Sequence, residues 1–330
     1  MSGWREPGGP AFAFLAAPWP RYVTVFDLAA NFFGYFPFGL LCVLALPGRR
    51  SGAVAVTIAI VTGALMSLLL ETGQSYLPPR IPSNVDVLAN VAGAAAGGTA
   101  AAWFAPWLLG GGPLHRLRAQ AMTPGAATDL GLALLGLWLF AQLNPATLLF
   151  GSGDLRDLVA SAAGEPHKAE LFVSVEAAIT AMNLAAVAVL ASAGAQPGAP
   201  VRRLAVLLVA VALAVKTFAF AILMRAEHVF AWLTPGAQLG LAAGAVLAAV
   251  VLWLPRAARL ALAAVLLMGA TVLVNLAPPN PYFAATLKVW EQGHFLNFNG
   301  LTRLVSAAWP FAALAYLVYL ASSRLREPLR

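Results

Sequence analysis

Nine apolar blocks recur along this chain, each near the length a helix needs to cross a bilayer, and they constrain the fold more than anything else in it. A helix rising 1.5 Å per residue needs about 20 mainly apolar residues to span roughly 30 Å of hydrocarbon. Blocks of that kind fit at Tyr22–Leu46, Ala53–Leu70, Val85–Leu108, Asp129–Phe150, Ala169–Ala193, Leu204–Met224, Gly236–Leu254, Ala257–Ala277 and Leu301–Ser322. They are rich in Ala and Leu and too long for barrel strands, so helices are implied. Composition agrees: 61% of residues are apolar and 10% charged, against about 25% charged in a soluble domain. The expected fold is all-α, a polytopic transmembrane bundle of about nine helices.

The formal net charge of +7 invites a nucleic-acid reading, but the position of the charges opposes it. Eleven of the twenty Lys and Arg gather in alternate connections. They are Arg49 and Arg50; Arg116 and Arg118; Arg202 and Arg203; Arg256 and Arg259; Arg324, Arg326 and Arg330. The other connections mix acids with bases, as in Asp154, Arg156, Asp157, Glu165 and Lys168. By the positive-inside rule the first set is cytoplasmic, which puts the amino terminus outside and the carboxyl terminus inside. The single cysteine, Cys42, allows no internal disulfide.

The run Gly110–Pro124 is the best boundary candidate. It divides a three-helix unit, 22–110, from a six-helix region, 125–330. Residues Ala11–Ala17 are apolar but too short and proline-bounded to span. Gly93 and Gly97 make a small-residue step, and Gly236, Gly240 and Gly244 a longer one on one helical face. Both read as surfaces where helix backbones approach closely. Asp27-Leu-Ala-Ala-Asn31-Phe-Phe-Gly34 also matches Asp86-Val-Leu-Ala-Asn90-Val-Ala-Gly93 at Asp, Ala, Asn and Gly. Chance in an Ala-rich chain and a genuine repeat are both open. Either way, two Asp–Asn helix faces are expected at one depth near the outside.

The second block ends in Glu71-Thr-Gly-Gln74, followed by Arg80 in a proline-stiffened loop, then Ser83, Asp86 and Asn90 at the start of the third. A charge in the apolar layer costs about 2.5–3.5 kcal/mol by insertion scales, so such groups pair or face a cavity. Arg80 is the only cation of this hairpin, and a bidentate pair with Glu71 or Asp86 is the natural way to lower that cost.

This pattern resembles the VanZ-like family of membrane proteins, named for a teicoplanin-resistance protein, over about residues 22–108. The resemblance rests on Glu71-x-x-Gln74, Arg80, Ser83, Asp86, Asn90, Gly93 and Gly97, with Asn31 and Phe36-Pro37-x-Gly39 before them. The family has a further amino-terminal helix, here reduced to Ala11–Ala17 at most. The resemblance implies a bacterial cytoplasmic-membrane protein of the cell envelope, tied to glycopeptide susceptibility, without naming a reaction. The expected binding residues are Asp27, Asn31, Glu71, Gln74, Arg80, Asp86 and Asn90, and the expected ligand is amphiphilic or lipid-linked. The alternative is a transporter or enzyme acting on a lipid-linked envelope glycan or phospholipid.

Elsewhere Glu176 and Lys216 lie within apolar blocks, where an ion pair between them reads as helix glue or as a proton or anion relay. Arg225, His228, His294 and Arg303 near the outer face form a secondary set that would suit an anionic headgroup; an interfacial aromatic segment is the competing reading. The four histidines have no metal-ligand spacing, and no phosphate loop or Gly-x-Ser-x-Gly occurs. No cofactor and no nucleic-acid partner are expected; membrane lipids are.

Overall fold

The computed structural model describes residues 10, 12–46, 52–76, 81–109, 112–156, 168–223, 228–277 and 296–323. Among them are ten helices and no strand beyond one isolated bridge, Met122 with Ala195. In chain order they are α1 Val25–Ala45, α2 Gly52–Gln74, α3 Asn84–Leu109, α4 Pro113–Ala121, α5 Ala126–Ala141, α6 Ala169–Ala193, α7 Val201–Leu223, α8 Pro235–Val251, α9 Arg256–Leu276 and α10 Leu296–Ser323. Seven are long and apolar enough to cross a membrane, and α5 and α8 are shorter apolar helices. The chain is a multi-pass helical membrane protein.

Two compact units make up the chain, Met1–Arg118 and Ala119–Arg330. In the first, α3 lies along both α1 and α2. The contact with α1 is made backbone to backbone. A Cβ on Gly93 would strike the Phe32 carbonyl oxygen, one on Gly97 the Phe36 carbonyl oxygen, and one on Gly39 that of Ala94. This register makes α1 and α3 parallel and sets Asp27–Asn31 level with Asp86–Asn90. A short 3-10 turn, Ala13–Ala16, buries Phe14. The Asn84 amide then donates to the Ala17 carbonyl at 2.8 Å and fastens that segment to the start of α3.

In the second unit α6 is the central helix, touching α5, α7, α8 and α9, and α10 packs on α5 and α9. From Asn183 to Ser192 every residue of α6 is buried, as expected of a helix that is apolar all round. Gly236, Gly240 and Gly244 seat α8 on it: a Cβ on Gly240 would come within 2.7 Å of the Ala177 carbonyl oxygen. Gly240→Leu is therefore expected to lower the melting temperature in detergent well below that of Gly136→Leu, whose site is open. Equal melting temperatures would show that this glycine face does not hold α8.

The expected span Asp129–Phe150 is corrected. Helix α5 stops at Ala141 after 16 residues, about 24 Å at 1.5 Å per residue, and 142–156 is irregular yet largely buried. The reason is local: Asn144-Pro145 disfavours helix at Asn144 and removes an N–H at Pro145.

Candidate functional site

Within the first unit, polar side chains meet where α2 and α3 face each other. Glu71 is 2% exposed, and one of its carboxylate oxygens accepts the Ser83 backbone N–H at 3.2 Å. Ser83 in turn caps the entry to α3, its hydroxyl accepting from the Val85 N–H. One and a half turns further along, Asn90 donates to the buried Ser67 hydroxyl at 3.0 Å. Tyr35 of α1 brings its hydroxyl to Ser67 and into the field of Glu71. That hydroxyl and the Asn90 carbonyl oxygen are buried without a hydrogen-bond partner of good geometry. Most buried polar atoms are satisfied, so two orphans in the cluster that also holds the Glu71 carboxylate are a feature to explain.

The sequence-predicted residues divide accordingly. Glu71 and Asn90 enter this cluster. Asp27 caps a helix instead: its carboxylate accepts the Thr24 hydroxyl at 2.6 Å while Thr24 accepts the Asp27 N–H, a capping box at the start of α1. Asn31, Gln74 and Asp86 are half-buried, near the starts of α1 and α3 and at the end of α2. Arg80, Arg225 and His294 lie outside the described residues. Ser67 and Tyr35 escaped the sequence reading because a lone hydroxyl in an apolar block carries no spacing signal.

A family model described as VanZ/LLP1 matches residues 9–105. The amino-terminal segment is VanZ-like. The match begins upstream of Tyr22 and takes in the Ala13–Ala16 turn, the segment that Asn84 ties to α3. No curated protein and no solved structure matches the chain. Glu71, Ser67, Asn90 and Tyr35 all lie inside the VanZ-like match, and the second unit lies outside it.

The second unit has polar chemistry of its own, built on the irregular segment 142–156. Buried backbone outside regular structure needs partners for its N–H and C=O groups. Here side chains and one carbonyl from four helices supply them. The Lys216 ammonium of α7 donates to the Asn144 and Thr147 carbonyls at 2.7 and 2.8 Å. Thr180 of α6 donates to the Leu149 carbonyl. Asn275 of α9 donates to the Gly153 carbonyl and accepts the Leu155 N–H, at 2.7 and 2.8 Å. Pro310 inside α10 has no N–H to offer the carbonyl four residues back, and that Ser306 carbonyl accepts the Gly153 N–H at 2.8 Å. Gly153 itself has φ +82, and a Cβ there would press on Thr271 and Pro310.

Glu176 and Lys216 are both buried but do not form the direct ion pair that their places in the sequence allow. Lys216 is taken up by the carbonyls of 144 and 147. The Glu176 carboxylate lies at the start of α8, hydrogen-bonded to the Thr234 side chain, and a Cβ on Gly236 would come within 2.6 Å of it. Both charges thus serve backbone ends, the carboxylate at a helix N-terminus where the dipole favours it.

Asp154 and Arg156 pair on the same segment, 2.6 Å apart. Arg156 also donates to the Ala277 carbonyl. Burial works to raise the Asp154 carboxyl. Hydrogen bonds from Arg156 and the charges of Arg156 and Arg303 outweigh burial and hold it below its ordinary value. A depressed carboxyl contributes stability above its unfolded value and loses it as pH falls through the folded one. The intact protein and Asp154→Asn are therefore expected to differ in thermal stability at neutral and mildly acid pH and to converge only in strong acid. A difference that vanishes near pH 6 would contradict this. Of the secondary set, Arg303 is exposed on α10 and acts on Asp154, while His228 lies in an exposed turn before α8.

Proposed function

We propose that this is a bacterial cytoplasmic-membrane protein of the cell envelope whose VanZ-like unit binds the polar end of an amphiphilic or lipid-linked ligand, lowering susceptibility to glycopeptide antibiotics. The observation that carries the reading is the buried Glu71 in one cluster with two unsatisfied polar atoms, the Tyr35 hydroxyl in its field and the Asn90 carbonyl oxygen further along α3. A carboxylate kept in an apolar layer is expensive, and such groups mark ligand or ion sites more often than bare scaffolding. Orphaned donor and acceptor atoms in its cluster are what an incoming headgroup or its waters would satisfy. The positive-inside pattern puts this end of α1, α2 and α3 at the outer face, where envelope precursors are accessible.

The test is a susceptibility assay in a bacterial host exposed to teicoplanin. It compares the intact protein with a Glu71→Gln, Arg80→Ala, Asp86→Asn variant at matched membrane abundance. The expected outcome is protection by the intact protein and a return to the sensitivity of the empty host in the variant. Equal protection by both would remove the cluster from the function.

A further inference from the structure

In the second unit a cleft of about 80 Å³ opens beside the irregular segment. At roughly 10–15 Å³ per water position it has room for several waters or one small polar group. Its lining includes Glu176, 5% exposed, and the hydroxyls of Ser152 and Ser306, at 2% and 3%, both buried without a hydrogen-bond partner. Asp154 and Arg156 also line it, and hydrocarbon from Phe172 and Ile179 fills much of the wall. Arg303, one turn before Ser306 on α10, adds its charge at Asp154.

We propose that this cleft is a second binding site of the protein, for a small zwitterion of the phosphoethanolamine class. The ammonium points inward to Glu176 and the two serine hydroxyls, and the phosphate stays at Arg156 and Arg303.

The charge pattern selects this chemistry. A simple anion would have to face the buried Glu176 carboxylate. A bare hard cation needs a shell of oxygens, which an apolar wall does not supply. A simple amine fits the interior but adds to a local excess of positive charge. Among the described residues, two carboxylates, Glu176 and Asp154, stand against three cationic groups, Arg156, Arg303 and Lys216. A zwitterion leaves that balance unchanged; Arg156, whose fork already holds Asp154, attracts the phosphate by charge. The segment already holds one ammonium with its oxygens: Lys216 sits on Thr147, which also lines the cleft. The phosphoethanolamine group can come from an ethanolamine phospholipid or from a free solute.

The experiment uses the full chain in nanodiscs of phosphatidylglycerol alone. One arm titrates soluble glycerophosphoethanolamine, glycerophosphocholine and glycerophosphate by calorimetry. The other adds ethanolamine or choline phospholipid to the discs and follows thermal stability. The expected result is binding of the ethanolamine compound at least about tenfold tighter than its choline counterpart, because a trimethylated nitrogen has no N–H to give Glu176. Binding in the lipid arm alone assigns the source to the membrane, and in the soluble arm alone to a free solute. Glu176→Gln should remove the preference. Ser306→Ala should weaken binding while keeping the carboxylate, and the headgroup comparison on the intact protein stands even if Glu176→Gln does not fold. Equal binding of ethanolamine and choline compounds, tighter binding of glycerophosphate, or no binding in either arm would overturn the proposal.

Discussion

Replacing Gly97 by leucine is expected to remove the folded amino-terminal unit from the membrane, whereas the same change at Gly34 should be tolerated. A Cβ at 97 would strike the Phe36 carbonyl oxygen and crowd the Leu40 nitrogen. Both are helical backbone of α1, so no rotamer change can make room. Overpacking a well-fitted site costs about 1–3 kcal/mol and more when backbone must move. In lipid the separated helices recover nothing from the hydrophobic effect, because the tails are as apolar as the side chains. Gly34 occupies in the first copy of the Asp–Asn–Gly pattern the place that Gly93, one turn before Gly97, holds in the second, yet nothing lies within 4 Å of its would-be Cβ. Membrane abundance and melting temperature in detergent read the outcome. If the two variants melt alike, the α1–α3 approach is not what holds this unit together.

That contrast also separates what the sequence made legible from what it hid. The apolar blocks located the helices because bilayer thickness is a length constraint that any spanning segment must meet, and the glycine steps were readable because small residues at four-residue spacing have one dominant use in lipid. The near-repeat was readable as a pattern but not as a function. Its two glycines differ only in what a neighbouring helix brings to them. Glu71 and Asn90 stood out by cost, as polar groups in apolar runs. Ser67, Tyr35, Ser152 and Ser306 did not, since a lone hydroxyl costs little in an apolar run and carries no spacing signal. The early end of α5 had a signal in Asn144-Pro145, hidden by the apolar residues that continue to Phe150. The partnership of Lys216 was out of reach, because its acceptors are main-chain oxygens and carry no sequence signature.

Those acceptors make Lys216→Met the most damaging change expected in the second unit. Lys216 is 1% exposed, and its ammonium is the donor to two carbonyls, at 144 and 147, and to the Thr147 hydroxyl at 3.2 Å. Replacing a buried ion by an apolar side chain is often neutral when all its partners are replaced too. Here the partners are backbone and stay behind. The Asn144 carbonyl keeps the Thr147 hydroxyl as a donor at 3.0 Å, but the Thr147 carbonyl is left without one, at a cost of about 1–3 kcal/mol, and Glu176 loses the nearby positive charge that offsets its burial. The Met variant is therefore expected to lose several kcal/mol, read as a large drop in melting temperature in detergent. Lys216→Arg keeps the charge and N–H donors but is longer, and should fall between. Because Thr147 lines the cleft, any Met variant that survives should also lose the ethanolamine preference, since the segment that shapes the site is no longer held. A Met variant as stable as the intact protein would mean that water, not lysine, satisfies segment 142–156, and the cleft would then be a wet channel through the unit rather than a shaped site.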